Sequence, residues 1–350
     1  MENTEGARKA VCAAILCALA AAAHCETPAS AALPDYVPAA AVAGQLRASG
    51  ADTMYALMDT WAAQFAAVHP QASVLTDRSA TLSAQGLAAL LDGRADLVTF
   101  VREPFSAEAT AFHARFGYPL TTIRIGGGSY ATKGGTHAIA IYVNAANPLS
   151  QLTLAQLDAV FSRTLLRGAP HQALTWGDLG ADGDWAARPV HVYGMLTRRA
   201  SGNPPGIVNY LTQRVLLGGA WRQDLREQTD HDGETALEAI VARVAADPEA
   251  IGYSGFGYRT AGVKPLALAE AAGRPYYQGL PDEVARQDYP LSRSIYLGIN
   301  AAPGRPLPPL LREFLRFVLS ADGQRALARD HMGFIPLDTA QAAQSRLALP

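Results

Sequence analysis

The strongest constraint on this chain is the alternation of short apolar runs and helical stripes between Leu46 and Phe116. Leu46–Gly50 reads as a strand tip, and Gly50 marks a crowded or left-handed turn. Met54, Leu57, Met58, Trp61 and Phe65 then recur at helical spacing until His69-Pro70 ends the helix, with Asp52 or Thr53 as N-cap. Ser73–Leu75 is a short strand, Asp77–Thr81 a polar loop, and Gln85–Asp92 a helix striped by Leu87, Leu90 and Leu91 and ended by Gly93. Asp96–Val101 is an apolar strand and Ser106–Phe116 a helix with Glu108 in its first turn. Strand and helix in this rhythm predict an α/β fold with a parallel sheet and crossover helices.

The pattern then repeats. Thr136–Asn144 (THAIAIYVN) reads as a buried strand, Thr153–Phe161 as a capped helix, Val190–Tyr193 as a strand, Gly206–Leu217 and Glu234–Ala246 as helices, and Ile251–Ser254 as a short strand. Ser294–Asn300 (SIYLGIN) is a second long apolar strand, followed by helices at Leu310–Ser320 and Gly323–Arg329. Two α/β halves follow, with 136–144 and 294–300 as crossover strands and the last helices returning to the first half.

The chain has 350 residues, enough for two domains, and its net charge of −2 with a pI of about 6.4 lacks the basic field of a nucleic-acid binder. Arg8-Lys9 followed by the uncharged run Ala10–Ala23 has the build of a secretory signal, so 1–31 reads as a signal peptide and 32–46 as a linker. Cleavage after Ala23 or at Ala29-Ser30-Ala31, or lipidation at Cys25, are the alternatives for its end. All three cysteines, Cys12, Cys17 and Cys25, lie in this leader, which leaves the body without disulfide or thiol chemistry.

Three polar loops share one description: Gly50–Thr53, Arg78–Thr81 and Arg198–Asn203 each follow a strand and precede a helix. Helix starts offer unpaired amides and a partial positive charge, which suits an anion. In open α/β sheets such loops gather at the carboxyl ends of the strands, where ligands bind. Taken singly, each stretch is equally accounted for by a capped helix without ligand or by a solvated loop. The third loop has Ser201, Gly202 and Asn203 beside Arg198 and Arg199, whose forks suit two oxygens of an oxyanion. It lacks G-x-S-x-G, and no G-x-x-x-x-G-K-[ST] phosphate loop occurs in the chain. His231-Asp232 has no second cluster at metal-ligand spacing, so no metal or other cofactor is expected. His137 opens a strand beside the expected cleft.

At this point the residues resemble a family: the phosphate-binding proteins of bacterial ABC importers, within the type II periplasmic binding protein superfamily. The resemblance is carried by SGADTMYALMDTWAAQFAAVHP, SATLSAQGLAALLDGRADL, IAIYVNAANPLSQLTLAQLDAVFS, TWGDLG, Ala200–Gly202, AADPEAIGYSGFGYRT, YPLSRSIYLGIN and EFLRFVLSADGQRAL, from about Arg47 to Leu337. It implies a two-lobed clamp, a Venus-flytrap with two crossover strands, with residues 47–135 plus 301–350 in one lobe and 136–300 in the other. It further implies ligand contacts from Thr53 and Met54, from Ser79, and from Ser201, Gly202 and Asn203, with Arg198 or Arg199 as the cation; Asp52 and Thr81 are candidates as members of the first two polar loops.

The chain also departs from that pattern. Val101-Arg102 stands where the family carries a serine, Thr76-Asp77-Arg78 replaces a glycine-rich run, Asn203 replaces threonine before Pro204-Pro205, and Met195 stands where related sequences have arginine. Arg102 and Arg199 are the candidates for the missing charge. The loss of an aspartate acceptor there weakens discrimination between protonated phosphate and sulfate-like ions.

The expectation is therefore an exported, monomeric solute-binding protein, not an enzyme, that captures phosphate or a similar oxyanion for a membrane ABC permease. The rivals are a site-degenerate envelope sensor or interaction protein of the same fold, and a secreted hydrolase using Ser201.

Overall fold

The computed structural model describes residues 33–200 and 202–349. The expected signal peptide, Cys25 and Ser201 lie outside these residues.

In chain order the elements are β1 (Gly44–Gly50), α1 (Tyr55–Val68), β2 (Ala72–Thr76), α2 (Ser83–Leu91), β3 (Leu97–Phe100), α3 (Ser106–Phe116) and β4 (Thr121–Ser129). There follow β5 (Ile139–Asn144), β6 (Gln151–Thr153), α4 (Leu154–Phe161), β7 (His191–Met195), α5 (Gly206–Arg214), β8 (Arg226–Gln228), α6 (Ala236–Ala246) and β9 (Ala250–Gly255). The chain ends with β10 (Val263–Pro265), β11 (Ala267–Ala269), α7 (Pro281–Arg286), β12 (Ser294–Ile299), α8 (Pro309–Val318), α9 (Ala321–Ala328), β13 (Phe334–Ile335) and α10 (Thr339–Leu347).

Two mixed sheets carry two lobes. The first is ordered β13-β4-β12-β3-β1-β2 and the second β10-β5-β9-β7-β8. In the first, β1 runs parallel to both β2 and β3, while β12 is antiparallel to β3 and β4. In the second, β7 runs parallel to β8 and β9, while β5 is antiparallel to β9. The expectation of a purely parallel sheet thus gives way to a mixed one. β1 has β2 on one side and β3 on the other, and β7 likewise stands between β8 and β9. Each is the point at which the winding reverses, and the loop leaving its carboxyl end opens into a crevice.

Each sheet has its own apolar core. Ile139–Val143 of β5 are fully buried with Ile251, Tyr253 and Trp176, as a strand covered on both faces must be. The first core joins Leu57, Trp61 and Phe65 of α1 to Phe314 and Phe317 of α8, and the Trp61 indole N–H donates to the carbonyl of Gly323 at 2.9 Å. Residues 33–43, expected as a linker, are tied to this core. Tyr36 packs edge-on against Phe317, and its hydroxyl donates to Glu313 at 2.8 Å. An aromatic ring with a buried acceptor within reach gains too much from packing to stay solvated.

The chain crosses between lobes along two adjoining paths. The first leads from β4 to β5, and the second through Tyr289–Arg293 to β12. They are stitched by the amide of Gly128 to the carbonyl of Arg293 (2.8 Å) and the amide of Ile139 to that of Leu291 (3.1 Å). Leu291 belongs to the second core, whereas Ile295 belongs to the first. The return to the first sheet therefore falls just before Ser294–Ile299, a strand paired wholly within that sheet.

Candidate functional site

The loops leaving β1, β2 and β7 face one cleft of about 550 Å³. The first lobe contributes Ala51–Thr53, Thr81–Ala84, Val101 and Arg102; the second contributes Met195, Arg199, Asn203–Ile207 and Leu237; the crossovers contribute Gly134–His137 and Arg293.

Local chain chemistry places these groups. Gly50 has φ +146°, and a Cβ there would stand 2.5 Å from the carbonyl oxygen of Thr99. The chain therefore turns sharply out of β1 into a 3₁₀ turn, Asp52–Met54, that leads into α1. The amide of Asp52 donates to the carbonyl of Thr81 at 3.2 Å and ties the first loop to the second. The Gln85 side-chain oxygen accepts from the amides of Thr81 and Leu82, which holds the α2 entry. On the far side, Pro205 fixes the entry of α5 at Gly206. Four helices thus begin at the cleft, through Thr53, Ser83, Gly206 and Leu237. Their dipoles add a positive potential where the lobes meet.

Several polar atoms in this wall are unsatisfied. The hydroxyls of Thr53 and Ser83 and the Nε of Arg293 are buried without a hydrogen-bond partner. They are three of ten buried side-chain polar atoms without a partner among the described residues, and lining the cleft they remain able to donate to a polar guest.

Among the residues expected at the site, Asp52, Thr53, Thr81, Arg102, Arg199 and Asn203 line the cleft. Met54 is buried, and its amide donates to Ala51. Ser79 lies off the cleft, with its amide and hydroxyl both donating to Asp77 at 2.9 and 2.7 Å. Arg198 and Gly202 are exposed and outside the cleft lining; Gly202 closes the turn in which its amide donates to Arg199. No side-chain cap from Asp52 or Thr53 forms at the first helix start: Ala51 is the N-cap of the 3₁₀ turn and Met54 that of α1, neither through a side-chain hydrogen bond. Arg102 reaches the cleft but its charge is taken. Its guanidinium makes two hydrogen bonds to Glu108, at 2.8 and 2.6 Å, and stacks 3.6 Å from the centre of the Phe105 ring.

Two groups were not singled out by the sequence pattern, Ser83 and Arg293. Their signals were a serine opening the Leu87, Leu90, Leu91 stripe and an arginine at the mouth of an apolar strand. His137, expected near the cleft, forms part of its wall and is 3% exposed. Burial, reinforced by the Arg293 charge, pushes its pKa down to about 4, so it is neutral at pH 7.

The chain matches the PBP superfamily domain over residues 37–322. It is 35% identical over 306 residues to the phosphate-binding protein PstS of Pseudomonas aeruginosa PAO1, an alignment covering 87% of each chain. Protein SphX of Synechococcus elongatus is 25% identical over 203 residues, 57% of this chain and 53% of that one. Two solved structures share the fold. PstS from Borrelia burgdorferi has a TM-score of 0.54 at 14% identity, covering 84% of this chain and 99% of that one. An ABC-type phosphate transport receptor from Vibrio cholerae has a TM-score of 0.51 at 20% identity, covering 83% and 99%.

Proposed function

Since this chain belongs to the PBP superfamily of two-lobed binding proteins, we propose that it is a periplasmic receptor that captures phosphate and hands it to a membrane ABC permease. The observation that carries this reading is the meeting of helix starts with the unpartnered Thr53 and Ser83 hydroxyls in a cleft between two lobes. Fixed N–H dipoles and hydroxyls stabilise a desolvated anion without needing to reorient, and closing the lobes removes the water that competes with them. The name of the Pseudomonas relative supports phosphate in particular. Binding requires no bond to break, and the reading is that of a carrier, not an enzyme. The chain works as a monomer whose two lobes, each built on one sheet, close over the anion and present a shape that the permease recognises. Among the described residues no helix is long and apolar enough to cross a membrane.

A ligand that binds only the folded state raises its stability by RT ln(1 + [L]/Kd), about 2.7 kcal/mol at a hundredfold excess over Kd. Thermal unfolding in a phosphate series, with sulfate and chloride at equal ionic strength, tests the proposal. A rise in Tm that follows phosphate occupancy supports it; flat curves through millimolar phosphate would sink it.

A further inference from the structure

Three arginines line the cleft, and their surroundings differ. Arg102 is neutralised by Glu108. Arg199 is exposed on a surface turn, where an ion pair contributes little. Arg293 is 6% exposed, and its Nε has no partner. Its nearest carboxylate is Glu103, with Nη2 and Oε2 3.8 Å apart, beyond hydrogen-bond reach. That Oε2 is itself buried and unpartnered.

The arginine is nonetheless held firmly in place. Its carbonyl accepts from Gly128, the carbonyl of Ser292 accepts from the Tyr210 hydroxyl at 2.6 Å, and the guanidinium lies 5.3 Å from the centre of the Tyr210 ring. It also stands where the chain passes from one lobe to the other, so it is shared by both. A buried cation with free donors and only a distant counter-charge is poised for an anion that offers several acceptors at once.

We infer that Arg293 is the cation that pairs with the bound oxyanion, and that Glu103 is its counter-ion in the empty cleft. This assignment rests on the anion-receptor reading and specifies the charge that reading needs. When the anion arrives, the guanidinium donors turn from a weak, long-range partner to a close one. The negative charge of Glu103, left behind Arg293, then opposes the guest.

Isothermal titration with inorganic phosphate tests this on four variants of the full chain. Arg293→Met is expected to weaken binding about a hundredfold, and Arg293→Lys about tenfold, because an ammonium keeps the charge but loses the fork. Arg198→Met, exposed and outside the cleft lining, is expected to stay within about threefold of wild type. Glu103→Gln keeps the shape and removes the opposing charge, so it is expected to bind phosphate more tightly, by about threefold or more. A merely structural glutamate would give unchanged or weaker binding. Should Arg293→Met fold poorly, Arg293→Lys and Glu103→Gln carry the test. Wild-type affinity in both Arg293 variants overturns the assignment and leaves the receptor reading standing; unchanged or weaker binding by Glu103→Gln overturns the counter-ion role. If the wild-type chain itself binds no phosphate, the receptor reading fails, and the assignment with it.

Discussion

Gly86 and Gly50 meet backbone to backbone: a Cβ on Gly86 would stand 2.6 Å from the Cα of Gly50. That approach brings the start of α2 against the end of β1, so two helix entries share one edge of the cleft. The position tolerates no side chain, because the atoms in the way are main-chain atoms that cannot rotate aside. Gly86→Ala is expected to destabilise the protein by about 1–3 kcal/mol through overpacking. It should also weaken phosphate binding, since Ser83 and the α2 amides are displaced from the anion. Chemical denaturation and a phosphate titration of the same variant measure the two effects separately.

Ser83 gives the cleanest separation of function from stability. Its hydroxyl is buried without a partner, so in the empty protein it contributes little that Ala would lose. Ser83→Ala should leave the unfolding midpoint nearly unchanged or raise it slightly. In the complex the same hydroxyl would donate to a charged oxygen, a bond worth about 1.5–3 kcal/mol. Phosphate affinity should fall about tenfold or more, as read by titration calorimetry. A fall in stability with unchanged affinity would show that the hydroxyl serves the fold alone.

Arg102 should behave in the opposite sense. Its guanidinium and the Glu108 carboxylate are about nine-tenths buried and joined by two hydrogen bonds. Glu108 also accepts from the amide of Phe105 at the α3 entry. Removing one partner leaves a buried charge uncompensated, so Arg102→Met is expected to cost about 3–5 kcal/mol. Phosphate affinity of the surviving folded fraction should change little. The check is urea unfolding together with titration at a temperature where the variant is folded.

These contrasts show what the sequence carried and what it hid. The strand–helix rhythm from Leu46 to Phe116 was legible because Trp61, Phe65, Leu87 and Leu90 are spaced for the faces they bury. β4 was not, because its triple glycine reads as a loop. A Cβ on Gly126 would stand 2.7 Å from a methyl of Leu327, and one on Gly128 2.0 Å from the carbonyl oxygen of Thr136. The strand needs glycines because other chain segments press on it, a tertiary demand without local signature. The loops after β1 and β7 were marked by their glycine and hydroxyl content and both reach the cleft, but Gly202 stands outside its lining and Ser201 lies outside the described residues. The division of labour among arginines was not marked: Arg102 is paired by Glu108 in the next helix start, whereas the partner of Arg293, Glu103, comes from a remote part of the chain and stays 3.8 Å away.

His137 makes stability depend on pH in a predictable direction. A Cβ on Gly255 would stand 2.5 Å from its Nδ1, so the ring is wedged where water cannot solvate a charge. Burial first, and the Arg293 charge second, lower its pKa from 6.5 to about 4 in the folded protein. Between these values the unfolded chain holds a proton that the native protein refuses, so stability rises with pH there. The contribution is complete above about pH 6.5 and is lost as pH falls towards 4, a difference of about 3 kcal/mol at most. Carboxylates titrate in the same window, so wild type is compared with His137→Gln, which cannot charge. The wild-type curve should fall more steeply between pH 6.5 and 4 and run parallel to the variant above pH 7. Phosphate should flatten the wild-type slope, because an anion beside Arg293 offsets the charge that keeps the imidazole neutral. Parallel curves throughout would mean that the imidazole takes up its proton in the folded state without penalty.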